Sequence, residues 1–124
     1  MNVVDSSAWI EYFVGGQNAS EFAPAIEATD DLVVPALTIF EVFKRVAQLA
    51  GEGAAIDAVS VMTAGHVVDL STSVALEAAR LSLQTGLAMA DSVILATTRL
   101  EGATLWTQDA HFEGMDGVEY REKS

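Results

Sequence analysis

Short apolar runs, Val3-Val4, Leu32-Val33-Val34, Val67-Val68 and Leu105-Trp106, punctuate the chain, and the segments between them carry helical hydrophobic spacing. Runs this short, with no polar alternation, suit strands buried on both faces. Strands of that kind alternating with helices make a parallel sheet with helices against each side, so the pattern predicts an α/β fold. At 124 residues, with no linker-like composition and no repeat, the chain is expected to form one domain over residues 1–124.

The first strand is read as Asn2 to Val4. Ser6 and Ser7 then look like caps for a helix carrying Ala8, Trp9, Tyr12 and Phe13, closed by Gly15-Gly16. A second helix is expected from Ser20 to Ala28, a strand over Leu32 to Val34 ended by Pro35, and a helix from Ala36 to Ala50. In that helix Ile39, Val42, Phe43, Val46, Leu49 and Ala50 share one face, with Glu41, Lys44, Arg45 and Gln48 on the other. Further helices follow at Ala54 to Met62, after Ser71, and from Ala90 to Leu100. Strands are expected at His66 to Val68, Ala103 to Trp106 and Val118 to Tyr120.

Hydrophobic residues make up 51% of the chain, and its formal charge is −12. That much apolar material predicts a second chain covering part of it, and Trp9, Tyr12 and Phe13, at helical spacing, are read as core or dimer contacts ahead of stacking on bases. Six Lys and Arg neutralise few phosphates, which argues against a nucleic-acid binder that works by charge alone and favours a basic protein partner. No apolar run reaches the roughly eighteen residues of a membrane span, and no signal-peptide pattern opens the chain, so a soluble cytoplasmic protein without membrane contact is expected. With no cysteine, disulfides and thiolate zinc sites are excluded, and His66 and His111 lack zinc-ligand spacing.

Asp5 and Asp109 lie just beyond strand ends, where sites form in parallel sheets. Asp91 opens an apolar helix, and Glu41 stands within an amphipathic one. Each acid also has an ordinary reading: Asp5 as a turn or cap, Glu41 paired with Arg45 at i+4, Asp91 as a first-turn acid favoured by the helix dipole, Asp109 and Asp116 as turn residues. Yet an unpaired Asp91 beside Leu87, Ile94 and Leu95 is costly to desolvate. If the acids converge they raise each other's pKa, and a divalent cation is the simplest neutraliser. Such a pocket suggests a metal-dependent phosphodiesterase.

At these residues the chain resembles the PIN-domain ribonucleases, and among them the VapC-type toxins of toxin–antitoxin pairs. VVDSSAWIEYF resembles the first motif with Asp5 as its acid, LTIFEVFKR the second with Glu41, and GLAMADSVILATTRLEGATLWTQD the third, with Asp91, running into the fourth at Asp109. The resemblance implies a three-layer α/β/α sandwich with a short, mainly parallel sheet. It also implies Mg²⁺ or Mn²⁺ in the acidic pocket, an RNA substrate cleaved to 5′-phosphate and 3′-hydroxyl ends and a cognate antitoxin, while the apolar content and the aromatics Trp9, Tyr12 and Phe13 lead us to expect a homodimer. On this likeness Asp5, Asp91 and Asp109 are the metal ligands, Asp5 and Asp91 binding directly. Glu41 and Asp109 would act through water or orient the nucleophile. Members often carry a second acid near the fourth motif, whereas here Ala110-His111-Phe112 follow Asp109 and Asp116 stands seven residues on. Asp116 is therefore a secondary candidate, as is Thr107, which resembles the hydroxyl residue near the site.

Two other classes compete. A phosphoacceptor signalling domain would want paired acids after the first strand and a lysine after a late one, and neither is present. A catalytically silent acidic interaction module would show no specific Mn²⁺ site.

Overall fold

The computed structural model describes residues 1–123. Five strands run β1 (Asn2–Val4), β2 (Leu32–Pro35), β3 (His66–Val68), β4 (Thr104–Thr107) and β5 (Val118–Tyr120). Between them lie α1 (Ser6–Val14), α2 (Ala19–Glu27), α3 (Ala36–Ala50), α4 (Glu52–Met62), α5 (Thr72–Thr85) and α6 (Met89–Leu100). The strands form one sheet in the order β3-β2-β1-β4-β5, and every pairing is parallel.

Alternation along the strands sorts the core into two halves. Val4, Leu32 and Val34 point to one face, where they meet Trp9, Phe22, Ile26, Val42, Val46 and Met62 from α1 to α4. Val3, Val33 and Leu105 point to the other, against Val74, Leu81, Val93, Ile94 and Leu95 from α5 and α6. The result is the three-layer α/β/α sandwich, and it explains why both strand faces are apolar. The expected strands and helices are all present, with ends displaced by a residue or two.

Two local expectations are corrected and one is narrowed. Asp5, not Ser6 or Ser7, caps α1: its carboxylate accepts from the Ala8 amide, while both serines already lie within the helix. Of the two places read for Trp9, core or dimer contact, full burial selects the core and removes it from any dimer surface. Leu49 is half-exposed, at the rim of a groove shared with Phe13 and Val14, because the buried stripe of α3 narrows to Thr38, Val42 and Val46.

Sheet order places the site. Connections leave β1 toward β2 across one face, whereas the chain reaches β4 through α5 and α6 on the opposite face, so the carboxyl ends of β1 and β4 flank a switch point. The Asp5 amide donates to the Trp106 carbonyl at 3.1 Å and locks those two ends together. Helix α6 is buried on every side over Ser92–Thr98. Its hydroxyls stay satisfied by bonding back to the chain: Thr97 to the Val93 carbonyl, Thr98 to the Ile94 carbonyl and Ser92 to the Leu87 carbonyl. Gly86, at φ 76°, provides the left-handed turn that ends α5 just before it.

Candidate functional site

Asp5 is 3% exposed and leaves β1 into the first turn of α1. Its Oδ1 accepts from the Ala8 amide at 3.0 Å and from Ser7 Oγ at 2.8 Å, and its Oδ2 accepts from Thr107 Oγ1 at 2.7 Å. Those bonds occupy three of roughly four acceptor positions on a carboxylate, leaving about one, on Oδ2, for a further partner. Burial pushes the Asp5 carboxyl up to about 6, against the opposing pull of its three hydrogen bonds, and Asp109 adds to the rise.

Thr107 is fully buried at the end of β4 and joins two acids. While donating to Asp5, its Oγ1 accepts from the Asp109 amide at 2.9 Å. Thr107, the secondary candidate from the sequence, thus holds a carboxylate of the group. Thr107→Val keeps shape and strand propensity but strands one carboxylate oxygen and one amide, so we expect about 1–3 kcal/mol of lost stability at neutral pH. A thermal melt checks this: Thr107→Ser should recover the loss, and an unchanged valine variant would remove Thr107 from the network.

Asp91 enters from the first turn of α6, where the helix dipole favours its charge. Burial, and then the nearby Asp109 carboxylate, nevertheless hold its pKa above the usual range. Asp109 caps a short 3₁₀ turn over Ala110–Phe112, its Oδ1 accepting from the His111 amide at 2.9 Å. His111 was not singled out from the sequence, because a lone histidine has no spacing signal. Its Nδ1 lies 3.3 Å from Asp91 Oδ2 and 3.2 Å from Asp109 Oδ1. Asp91, Asp109 and His111 each offer a ligand atom within 4.8 Å of the others.

Glu41 is held by α1, its Oε1 accepting from Ser6 Oγ, and the expected pair with Arg45 is not among the ion pairs of the described residues. Asp116 is exposed in the turn entering β5 and does not join Asp91 and Asp109. The structure thus groups Asp91 and Asp109 directly, ties Asp5 to Asp109 through Thr107, and tethers Glu41 to the residue after Asp5. Recesses flank this group, one of about 480 Å³ lined by Ser7, Gln108, Asp109 and Tyr120, the other of about 360 Å³ lined by Leu87, Ala88, His111 and Met115. Oxygen donors with one imidazole, and two carboxyls whose pKa values burial raises, fit a hard divalent cation that would relieve the charge.

A family model described as PIN domain matches residues 3–118. Among curated proteins none matches the chain by sequence. Similar solved structures include the toxin–antitoxin complex from Klebsiella pneumoniae, with TM-score 0.81, 23% identity and 96% of each chain covered. They also include the VapC20 toxin of Mycobacterium tuberculosis, which cleaves the sarcin–ricin loop, with TM-score 0.78, 14% identity and coverage of 94% of this chain and 95% of that one. DNA-bound VapBC from Salmonella typhimurium matches with TM-score 0.73 and 14% identity over 98% of this chain and 96% of that one.

Proposed function

The chain belongs to the PIN-domain family, and on that premise we propose that residues 1–124 are a single-domain, divalent-metal-dependent endoribonuclease, the toxin of a toxin–antitoxin pair. The observation that carries the reading is the meeting of Asp91 and Asp109 at the carboxyl ends of β1 and β4, with Asp5 joined to them through Thr107. Asp5, Asp91 and Asp109 would hold Mg²⁺ or Mn²⁺. A cation bound there supplies charge neutralisation at the phosphate and a lowered pKa for water.

The residues divide the remaining work. Thr107 fixes the Asp5 carboxylate through Oδ2, and Ser7 with the Ala8 amide fixes it through Oδ1, so it cannot rotate away from the pocket. Glu41, its Oε1 engaged by Ser6, has Oε2 left to orient the attacking water and accept its proton. Attack at phosphorus breaks the bond to the 3′-oxygen, leaving a 5′-phosphate and a 3′-hydroxyl. Acidic walls repel RNA unless metal is present, so activity without added cation should be negligible.

The partner would be an antitoxin. Among the described residues an apolar groove of about 650 Å³ runs between α3 and α4, lined by Ile39, Phe40, Phe43, Ala47, Ile56 and Val59, and Phe40 is 62% exposed. An amphipathic helix fits such a groove, and a basic one suits a chain of charge −12. A homodimer in the cytoplasm completes the proposal. No helix of the described residues is long and apolar enough to cross a membrane.

Incubation with total RNA, with and without Mn²⁺, followed by mapping of the 5′ ends, tests the activity. Discrete metal-dependent cuts are expected, and their absence would favour a silent interaction module. In the same assay Asp109→Asn should lower cleavage by on the order of 10²-fold, whereas Asp116→Asn should leave it near wild type. The opposite ranking would transfer the fourth acidic role to Asp116.

A further inference from the structure

Resting on the metal-site reading above, we propose that His111 is itself a ligand of that site, through Nδ1, and that it tilts the site toward Mn²⁺ over Mg²⁺. Its Nδ1 stands between the two acids, 3.3 Å from Asp91 Oδ2 and 3.2 Å from Asp109 Oδ1. Adjacent ligands of an octahedral ion bound at 2.0–2.1 Å lie roughly 2.9–3.0 Å apart, so the two separations from Nδ1 already approach the spacing of one coordination sphere, and all three ligand atoms lie within 4.8 Å of one another. Holding the imidazole there is a rigid turn: Asp109 accepts from the His111 amide, and Phe112, the next residue, is fully buried in the core. That anchor fixes the His111 backbone beside the two acids.

The two carboxylates draw the imidazole to this place. The His111 side chain is 72% exposed, so packing does not hold it over the acids. Solvent access leaves the ring open to an incoming cation.

Ligand chemistry then sets the preference. Mg²⁺ takes oxygen donors almost exclusively and keeps its waters, whereas imidazole nitrogen suits the transition metals, so one nitrogen among carboxylates raises affinity for Mn²⁺ more than for Mg²⁺. The departure from two acids in the fourth motif becomes a change of donor atom at that place.

Pulsed electron paramagnetic resonance of the purified chain with Mn²⁺ alone tests the contact, and calorimetric titration with Mn²⁺ and Mg²⁺ tests the preference. Nitrogen hyperfine coupling is expected in wild type and in His66→Ala, which removes the other histidine, and should vanish in His111→Ala. In that variant the ratio of Mn²⁺ to Mg²⁺ affinity should fall about tenfold. Mn²⁺ that binds wild type without nitrogen coupling, or a ratio unmoved in His111→Ala, overturns the assignment of His111 and leaves the acidic metal site standing. Failure of wild type to bind Mn²⁺ at all overturns both.

Discussion

Replacing Asp91 by asparagine is expected to lower RNA cleavage by on the order of 10²-fold or more, with the fold intact. The same change should raise the melting temperature of the metal-free protein and remove most of the gain that Mn²⁺ confers on wild type by mass action. These opposite signs come from one cause. Burial and the Asp109 carboxylate raise the Asp91 pKa, so at neutral pH the charged form is disfavoured in the fold despite the helix dipole and His111. Asparagine relieves that charge but binds a cation poorly. Cleavage assays beside thermal melts, each with and without Mn²⁺, decide the matter. An active variant, or one whose melt responds to Mn²⁺ as wild type does, would separate Asp91 from the metal.

Asp5 should make the metal-free protein less stable at neutral pH than in mild acid. Its carboxyl titrates at about 6 in the fold against 3.8 ordinarily. Between those values the folded state binds the extra proton, so stability falls as pH rises. Above pH 6 the ionised Asp5 costs about 3 kcal/mol, a cost relieved as pH drops through 6 and gone below the unfolded value. Asp5→Asn resembles the protonated acid: its oxygen keeps the Ser7 and Ala8 bonds, while its amide faces a Thr107 hydroxyl able to turn. The variant should therefore melt above wild type at pH 7.5 in chelator, by up to roughly 10 °C for a domain of this size. That difference should shrink toward zero by pH 4.5, and the comparison cancels every other titrating group. A difference constant with pH would mean that Asp5 ionises without strain in the fold.

The α/β architecture could be read because Val3-Val4, Leu32-Val33-Val34 and Leu105 face helices on both sides, and only a doubly covered parallel sheet uses such runs. Asp5, Asp91 and Asp109 stood out for a related reason: a carboxylate at the end of an apolar element needs compensation. What escaped was information held in tertiary contacts. Asp5, Ser6 and Ser7 are all good cap residues, and only the Asp5 amide bond to Trp106 settles which one ends the strand. Helical spacing places Trp9, Tyr12 and Phe13 on α1 without saying which of them meets the sheet. His111 has Asp109 two residues before it, but its other partner, Asp91, stands twenty residues upstream on another element, and only the fold brings all three together.

Thr107 and Asp5 meet across 102 residues of chain, through the parallel pairing of β1 with β4. Long-range parallel pairing forms late, because loop closure precedes any reward from contact. A growing polypeptide carries Asp5 for 102 residues of synthesis before Thr107 is added, with Asp109 following it. The order of residues along the chain therefore acts as a timer: the acids cannot gather before Asp109 has been made, and any hydrolytic power they hold stays latent until then.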